Sequence, residues 1–351
     1  MKAGKSIVEL AAELERQQAA KKDYIADTRR LKLEIDSSDK MVLQGVNGGM
    51  PVRSTAHAQF ANSLNIPKPY YDRMLTQAPD LLAINVNAWL ERQPAKKLIR
   101  TLDNEVRAVL SDSYRPLDNH ELAEAVLPQL FELQTNIVSS EITESRFYLK
   151  AVTEKVQGEV AKGDMIQAGL MISNSEIGHG SLRVQALDYR LVCLNGMIRE
   201  TAVRQAHLGR GARGGDAIED AREYFKAETR LADDRAFFLK VRDAVGGMFD
   251  PVKFNNRIAQ YREATEKQIT GEVEQVIEVT AKRFGFGETE RSSILKHFIR
   301  GDMMNAWGLA NAVTRAAQDV ESYDRSQEME KLGGDIIELP NSAWREIATA
   351  K

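Results

Sequence analysis

The chain has 351 residues, 43% apolar and 28% charged, with a formal net charge of −3. That length holds a large core in one or two domains, and the charge excludes a uniformly basic nucleic-acid coat. The sole cysteine, Cys193, excludes an internal disulfide and fits a reducing cytoplasm. No stretch approaches the roughly 20 apolar residues of a membrane span. The opening MKAGKSIVELAAELERQQ carries acids and an amphipathic pattern where a signal peptide would be continuously apolar.

Residues 6–22 read as a helix, with Ile7, Leu10 and Leu14 three to four apart. Thr55 is expected to cap HAQFANSL, and NIPKP breaks the chain before YYDRMLTQ. Two short helices around such a turn fit a helix-turn-helix and a plain helical hairpin alike, because the motif has little sequence specificity.

From about residue 98 the texture changes. VRAVLS, RFYLKAVT, MIQAGLMIS, SLRVQAL and YRLVCLN are short, rich in β-branched and aromatic residues, and separated by turn formers. Gly178-His179-Gly180 suits a hairpin tip, since glycine supplies positive φ. One helix interrupts the strands; Asp118 is expected to cap it, with Glu121 closing a capping box.

After residue 215 helices dominate. Asp216 to Glu219 reads as a second capping box, and Ile218, Ala221, Phe225, Phe238, Val241 and Val245 keep a helical stripe. Residues 253–284 and 302–323 are predicted to be further long helices. The plan is α+β. Residues 1–97 form an N-terminal helical region, 98–250 a central antiparallel sheet with a basic Gly/Arg loop and a packing helix, and 251–351 a C-terminal helical region.

Several chemical candidates can be ranked. Gly209-Arg210-Gly211-Ala212-Arg213-Gly214 matches G-x-G-x-x-G, but that fingerprint works only where it joins a strand directly to a helix. Here the strand-like residues end near Ile198, and the following helix opens on Asp216, Glu219 and Asp220, which would repel a pyrophosphate. No Gly-Lys-Ser/Thr follows, so a Walker loop fails as well. Cys193 sits in the nearly continuous apolar run YRLVCLN and is read as a small hydrophobe on a core strand. The five histidines are scattered without ligand spacing. Asp112, Asp118, His120 and Glu121 lie close in sequence, but the capping box accounts for two of them, so neither metal nor other cofactor is expected.

Between residues 183 and 213 lie Arg183, Arg190, Arg199, Arg204, Arg210 and Arg213, against Asp188 and Glu200 alone. The last two arginines flank glycines, which let a backbone approach a ligand whose phosphate oxygens match the guanidinium fork. Arg107, Tyr114 and Arg115 add the charge-plus-aromatic mixture that suits single strands, provided the central strands form one sheet. The bland alternative is a solvated loop with salt-bridged arginines.

RAVLSDSYRPLDNHEL, ISNSEIGHGSLRVQALDYRLVCLNGMI and WGLANAVTRAAQDVESYDR together resemble a phage- and plasmid-encoded family known only as a domain of unknown function, over about Asp23 to Pro340. The resemblance implies a mobile-element protein working in the host cytoplasm and transfers no catalytic residue. Antiparallel strands, a basic loop and a long helix are also similar in plan to single-strand annealing proteins, a likeness of fold alone. The expectation is a non-enzymatic, homo-oligomeric nucleic-acid-binding protein, for single-stranded DNA before duplex. Its contacts would be Arg107, Tyr114, Arg115, Arg190, Arg199, Arg204, Arg210 and Arg213. Two alternatives stand beside it. One is an interaction protein docking a host factor through stripes such as Ile258, Tyr261, Ile269, Val273 and Val276. The other is a metal-dependent nucleic-acid enzyme using Asp112, Asp118, His120 or Glu121.

Overall fold

The computed structural model describes residues 1–38, 40–199, 204–205 and 227–351. Helix α1 (Ile7–Ala20) opens on a capping box between Ser6 and Glu9 and buries Leu10 and Leu14. The chain then runs through β1 (Lys22–Asp27), β2 (Lys32–Ile35), β3 (Met41–Gln44) and β4 (Met50–Pro51). Helices α2 (Ser54–Ser63), α3 (Lys68–Gln77) and α4 (Pro79–Arg92) follow, then β5 (Lys96–Leu102) and β6 (Glu105–Ser111).

These strands make two small antiparallel sheets, β1-β5-β6 and β2-β3-β4, joined by a bridge between Val52 and Val106. Phe60, Tyr71, Leu82 and Val86 of the helices pack on Leu33, Leu43, Ile99 and Val109 of the strands. The N-terminal region is thus helical, as expected, with two sheets added that its sequence did not announce. Thr55 does not cap α2. The helix already begins at Ser54, so the cap position moves two residues back to Arg53, which is extended and has its N–H bonded to the Val106 carbonyl. Pro67 stops the chain ahead of α3 as predicted.

Helix α5 (Asn119–Glu132) leads into β7 (Asn136–Ile142), β8 (Phe147–Glu159), β9 (Met165–Asn174), β10 (Leu182–Arg190), β11 (Asn195–Arg199) and β12 (Arg204–Gln205). All pair antiparallel in the order β11-β10-β9-β8-β7, and β12 shares the outer side of β10 with β11. This is the expected central antiparallel sheet. Both faces are buried, so β9 reads as an almost unbroken apolar run. Leu149, Ala168, Leu170 and Val184 face the main helical core, while Tyr148, Met171, Leu187 and Ile198 face the other way toward Tyr323. Gly178 (φ +80°) and Gly180 (φ +146°) lie between β9 and β10, where the glycine turn was expected.

The segment YRLVCLN is not a core strand. β10 ends at Arg190, four residues turn with Leu194 at φ +51°, and β11 begins at Asn195 opposite Arg190. Val192 and Leu194 are 61% and 55% exposed, and Cys193 is half-buried in the turn. An apolar hairpin turn looks like strand to any periodicity argument.

The C-terminal part carries α6 (Ala227–Gly247), α7 (Pro251–Glu266), α8 (Val273–Phe284), α9 (Glu288–Gly301), α10 (Ala306–Ala316), α11 (Tyr323–Ile337) and α12 (Asn341–Ala348). The long helix predicted over 253–284 is two helices. The link between them is tied to α12, because Thr270 and Gly271 both donate N–H to the Ala348 carbonyl. The one predicted over 302–323 also divides, with Asn305 capping α10 and Ser322 capping α11. Phe238, Val241 and Val245 keep their stripe on α6. Residues 216, 218, 219, 221 and 225 lie outside the described residues.

Helix α11 crosses the sheet face away from the main core. The Tyr323 hydroxyl meets Ser139 of β7 (2.6 Å), Glu330 meets Lys150 of β8, and Gly334 sits against the Ile198 carbonyl of β11. The N-terminal segment spans the same two edges: Lys5 donates its N–H to Ser140 of β7, and the Met1 amine touches Leu194 beside β11. Among the described residues, no helix is long and apolar enough to cross a membrane.

Candidate functional site

The first cluster of sequence-predicted residues lies where the β1-β5-β6 sheet meets the loop after β9. Asp118 does not cap α5. Its carboxylate accepts from Arg100 Nη2 (2.7 Å) and Lys21 Nζ (2.5 Å). The cap is supplied by Glu176, which accepts from the Asn119 N–H at 2.7 Å and pairs through its other oxygen with Arg107. The buried Arg100 also donates to Asp23 (2.9 Å) and to the Glu176 carbonyl (2.8 Å). Burial pushes the Asp118 carboxyl up, but Arg100 and Lys21 hold it below its ordinary value. Tyr114 donates to the Ser175 carbonyl (3.2 Å), and burial pushes its phenol up. Arg115 stacks 5.7 Å from the Phe237 ring centroid. Glu121, freed from capping, has its carboxyl pushed up by burial and by the Asp118 charge.

The predicted metal candidates point apart. Asp118 faces Arg100, while His120 lies 3.6 Å from Glu124. No group of three potential ligands gathers among the described residues. Ser293, Asp319 and His297 do meet at the surface, but both Ser293 and His297 bond the same Asp319 oxygen (2.5 and 2.7 Å). The acid stands between hydroxyl and imidazole, which is not the order a serine nucleophile needs.

The second cluster is a buried ionic layer between β10, β11 and the C-terminal helices. Arg190 grips Asp164 with two nitrogens (2.5 and 2.9 Å), and Trp307 donates to the same carboxylate (2.9 Å). Arg257 holds Asp188 in the same way (2.7 and 2.9 Å), and Asp188 also accepts from the Tyr261 hydroxyl. Arg199 bonds Gln260 (2.8 Å) and Glu338 (2.7 Å). The arginine excess counted along the sequence is offset here by Asp164 and Glu338, which lie outside the counted window.

Arg107, Arg190 and Arg199 are all buried. β6 belongs to the β1-β5-β6 sheet and not to the central one. The condition for grouping Arg107, Tyr114 and Arg115 with the later arginines is thus not met. Arg204 lies on β12 opposite Arg183 of β10, at the outer side of the sheet. Arg210 and Arg213 lie outside the described residues.

Residues 106–332 match the family described as a domain of unknown function, DUF932. The chain belongs to that family. DUF932 is phage- and plasmid-associated, and its function is unknown. The match begins inside β6 and ends inside α11, so it contains the Arg190–Asp164 and Arg257–Asp188 pairs and the Arg107–Glu176 pair, whereas Lys21, Asp23 and Arg100 precede it and Glu338 follows it. The resemblance read from the sequence started earlier, near Asp23. No curated protein and no solved structure matches the chain.

Sequence reasoning missed Glu176, Asp164, Asp188 and Arg257 as members of these clusters. Asp164 in KGDM and Glu176 in NSEIGHG both carry ordinary loop signals. Their arginine partners are 26 and 69 residues away.

Proposed function

We propose that this DUF932 protein binds nucleic acid, single-stranded DNA before duplex, and serves phage or plasmid recombination or replication in the host cytoplasm as a homo-oligomer. No catalytic residue is assigned in this reading. The observation that carries it is the sorting of the arginines. Arg107, Arg190 and Arg199 are matched by acids from elsewhere in the fold and hold the scaffold. The glycine-flanked Arg210 and Arg213, following Arg204 at the outer side of the sheet, are the ones assigned to phosphate. A glycine-rich, arginine-bearing sequence is suited to track a polymeric backbone in a chain whose overall charge is negative. The similarity in plan to single-strand annealing proteins supports the reading as analogy of fold.

Mass in solution, measured by light scattering with and without a single-stranded oligonucleotide, tests the assembly. A ring or filament forming on the oligonucleotide supports it; an unchanged mass contradicts it.

A further inference from the structure

A cleft of about 520 Å³ opens in the N-terminal region between the β3–β4 pair, α2 and the end of α3. All its lining residues precede the span matched by the family. Met41, Val52 and Leu75 give it an apolar floor, and Lys40, Arg53 and His57 bring polar groups to it. That size and mixture are those of a small-molecule site.

Arg53 and His57 are held by the fold. Arg53 is anchored by its own N–H on the Val106 carbonyl (2.9 Å) and by Nε on Glu105 (2.6 Å). Its two terminal nitrogens have no hydrogen bond among the described residues, and the Asp103 carboxylate is 3.9 Å away. His57 is 5% exposed, and its Nδ1 is engaged by the buried Tyr71 hydroxyl at 2.8 Å. Nε2 has no hydrogen-bond partner among the described residues, and His57 is one of the residues that line the cleft. The ring is uncharged at neutral pH, because burial and the nearby Lys68 lower its pKa to about 4. Among the described lining residues, Lys40 and Arg53 against Glu105 leave one surplus positive charge.

We infer that this cleft binds a small monocarboxylate with an apolar or aromatic body. One surplus charge matches a singly charged head. The terminal nitrogens of Arg53, which make no hydrogen bond among the described residues, receive a carboxylate by paired hydrogen bonds in place of the longer contact with Asp103. In the tautomer that accepts from the Tyr71 hydroxyl at Nδ1, Nε2 carries the proton, and in that form His57 donates to the same head group. Val52, Leu75 and Met41 take the body. The site is independent of the nucleic-acid reading.

The test uses the full chain with benzoate, acetate and adenosine 5′-monophosphate as probes. Binding is followed by calorimetry and by the ¹⁵N shifts of the His57 ring. Benzoate is expected to saturate at or below roughly 1 mM, more tightly than acetate, with Nε2 reporting as the protonated nitrogen. Arg53→Met should weaken it by about tenfold or more, with Arg53→Lys recovering part. If Arg53→Met does not fold, the exposed Lys40→Met is the substitute, with a smaller loss expected. No benzoate-dependent His57 shift, binding indifferent to both substitutions, or nucleotide bound more tightly than benzoate would each overturn the assignment.

Discussion

Lys150 of β8 and Glu330 of α11 meet as an ion pair in which neither side chain is exposed at all. Burial pulls the lysine down and pushes the carboxyl up, and each charge opposes the shift of the other. The pair fastens α11 across the sheet. Breaking a buried pair leaves one charge stranded, whereas removing both charges does not. Lys150→Met or Glu330→Gln alone should therefore cost about 3–5 kcal/mol of stability in urea unfolding. The double Lys150→Met/Glu330→Met should cost less than either. A double variant as weak as the sum of the singles would show that the charges act independently.

The same helix approaches β11 at Gly334, where a Cβ would collide with the Ile198 carbonyl. Gly334→Ala should therefore lower stability by about 1–3 kcal/mol. Alanine is the better helix former, so an unchanged or raised Tm would mean that α11 does not sit this close.

The Arg190–Asp164–Trp307 contact separates a scaffold role from a binding role. Arg190→Met strands the buried Asp164 charge, with a predicted loss of about 3 kcal/mol and altered Trp307 fluorescence. A variant of wild-type stability with impaired nucleic-acid binding would move Arg190 back among the phosphate contacts.

His57 gives the protein an acid-sensitive limb. Its pKa falls from 6.5 to about 4 in the folded chain, so the unfolded chain takes up the proton first as pH drops. This contribution to stability is constant above about pH 6.5 and is lost between there and about pH 4, by up to about 3 kcal/mol. Urea midpoints at several pH values should show His57→Gln flattening that window while costing stability at neutral pH, where Tyr71 loses its ring partner. An acid limb that His57→Gln leaves untouched would place its origin in other groups.

These relationships mark how far the sequence could be read. β6, β8, β9 and β10 were legible because their apolar residues are buried by local alternation or by continuous runs, and α1 because Ile7, Leu10 and Leu14 share a face. The 191–194 turn was not, because Leu191, Val192 and Leu194 are as apolar as the strand before them. Asp118 was misread because its local partner, the α5 N-terminus, lost to Arg100 and Lys21, which only the folded chain brings near. The stripe proposed for docking a host factor proved internal: Ile258, Tyr261 and Val276 are core residues. Local charge counting likewise left out Asp164 and Glu338, the partners of Arg190 and Arg199, since ion pairs ignore sequence distance.

In the proposed function, the arginines following β11 hold the phosphates of a single strand. Fluorescence anisotropy with a labelled single-stranded oligonucleotide over a salt series tests it most directly, comparing wild type with Arg210→Glu/Arg213→Glu. Wild type should bind, and the double variant should bind more weakly with a salt slope smaller by about 0.7 per lost contact, about 1.4 in all. No binding by wild type, or binding with the same affinity and slope in the variant, would contradict it.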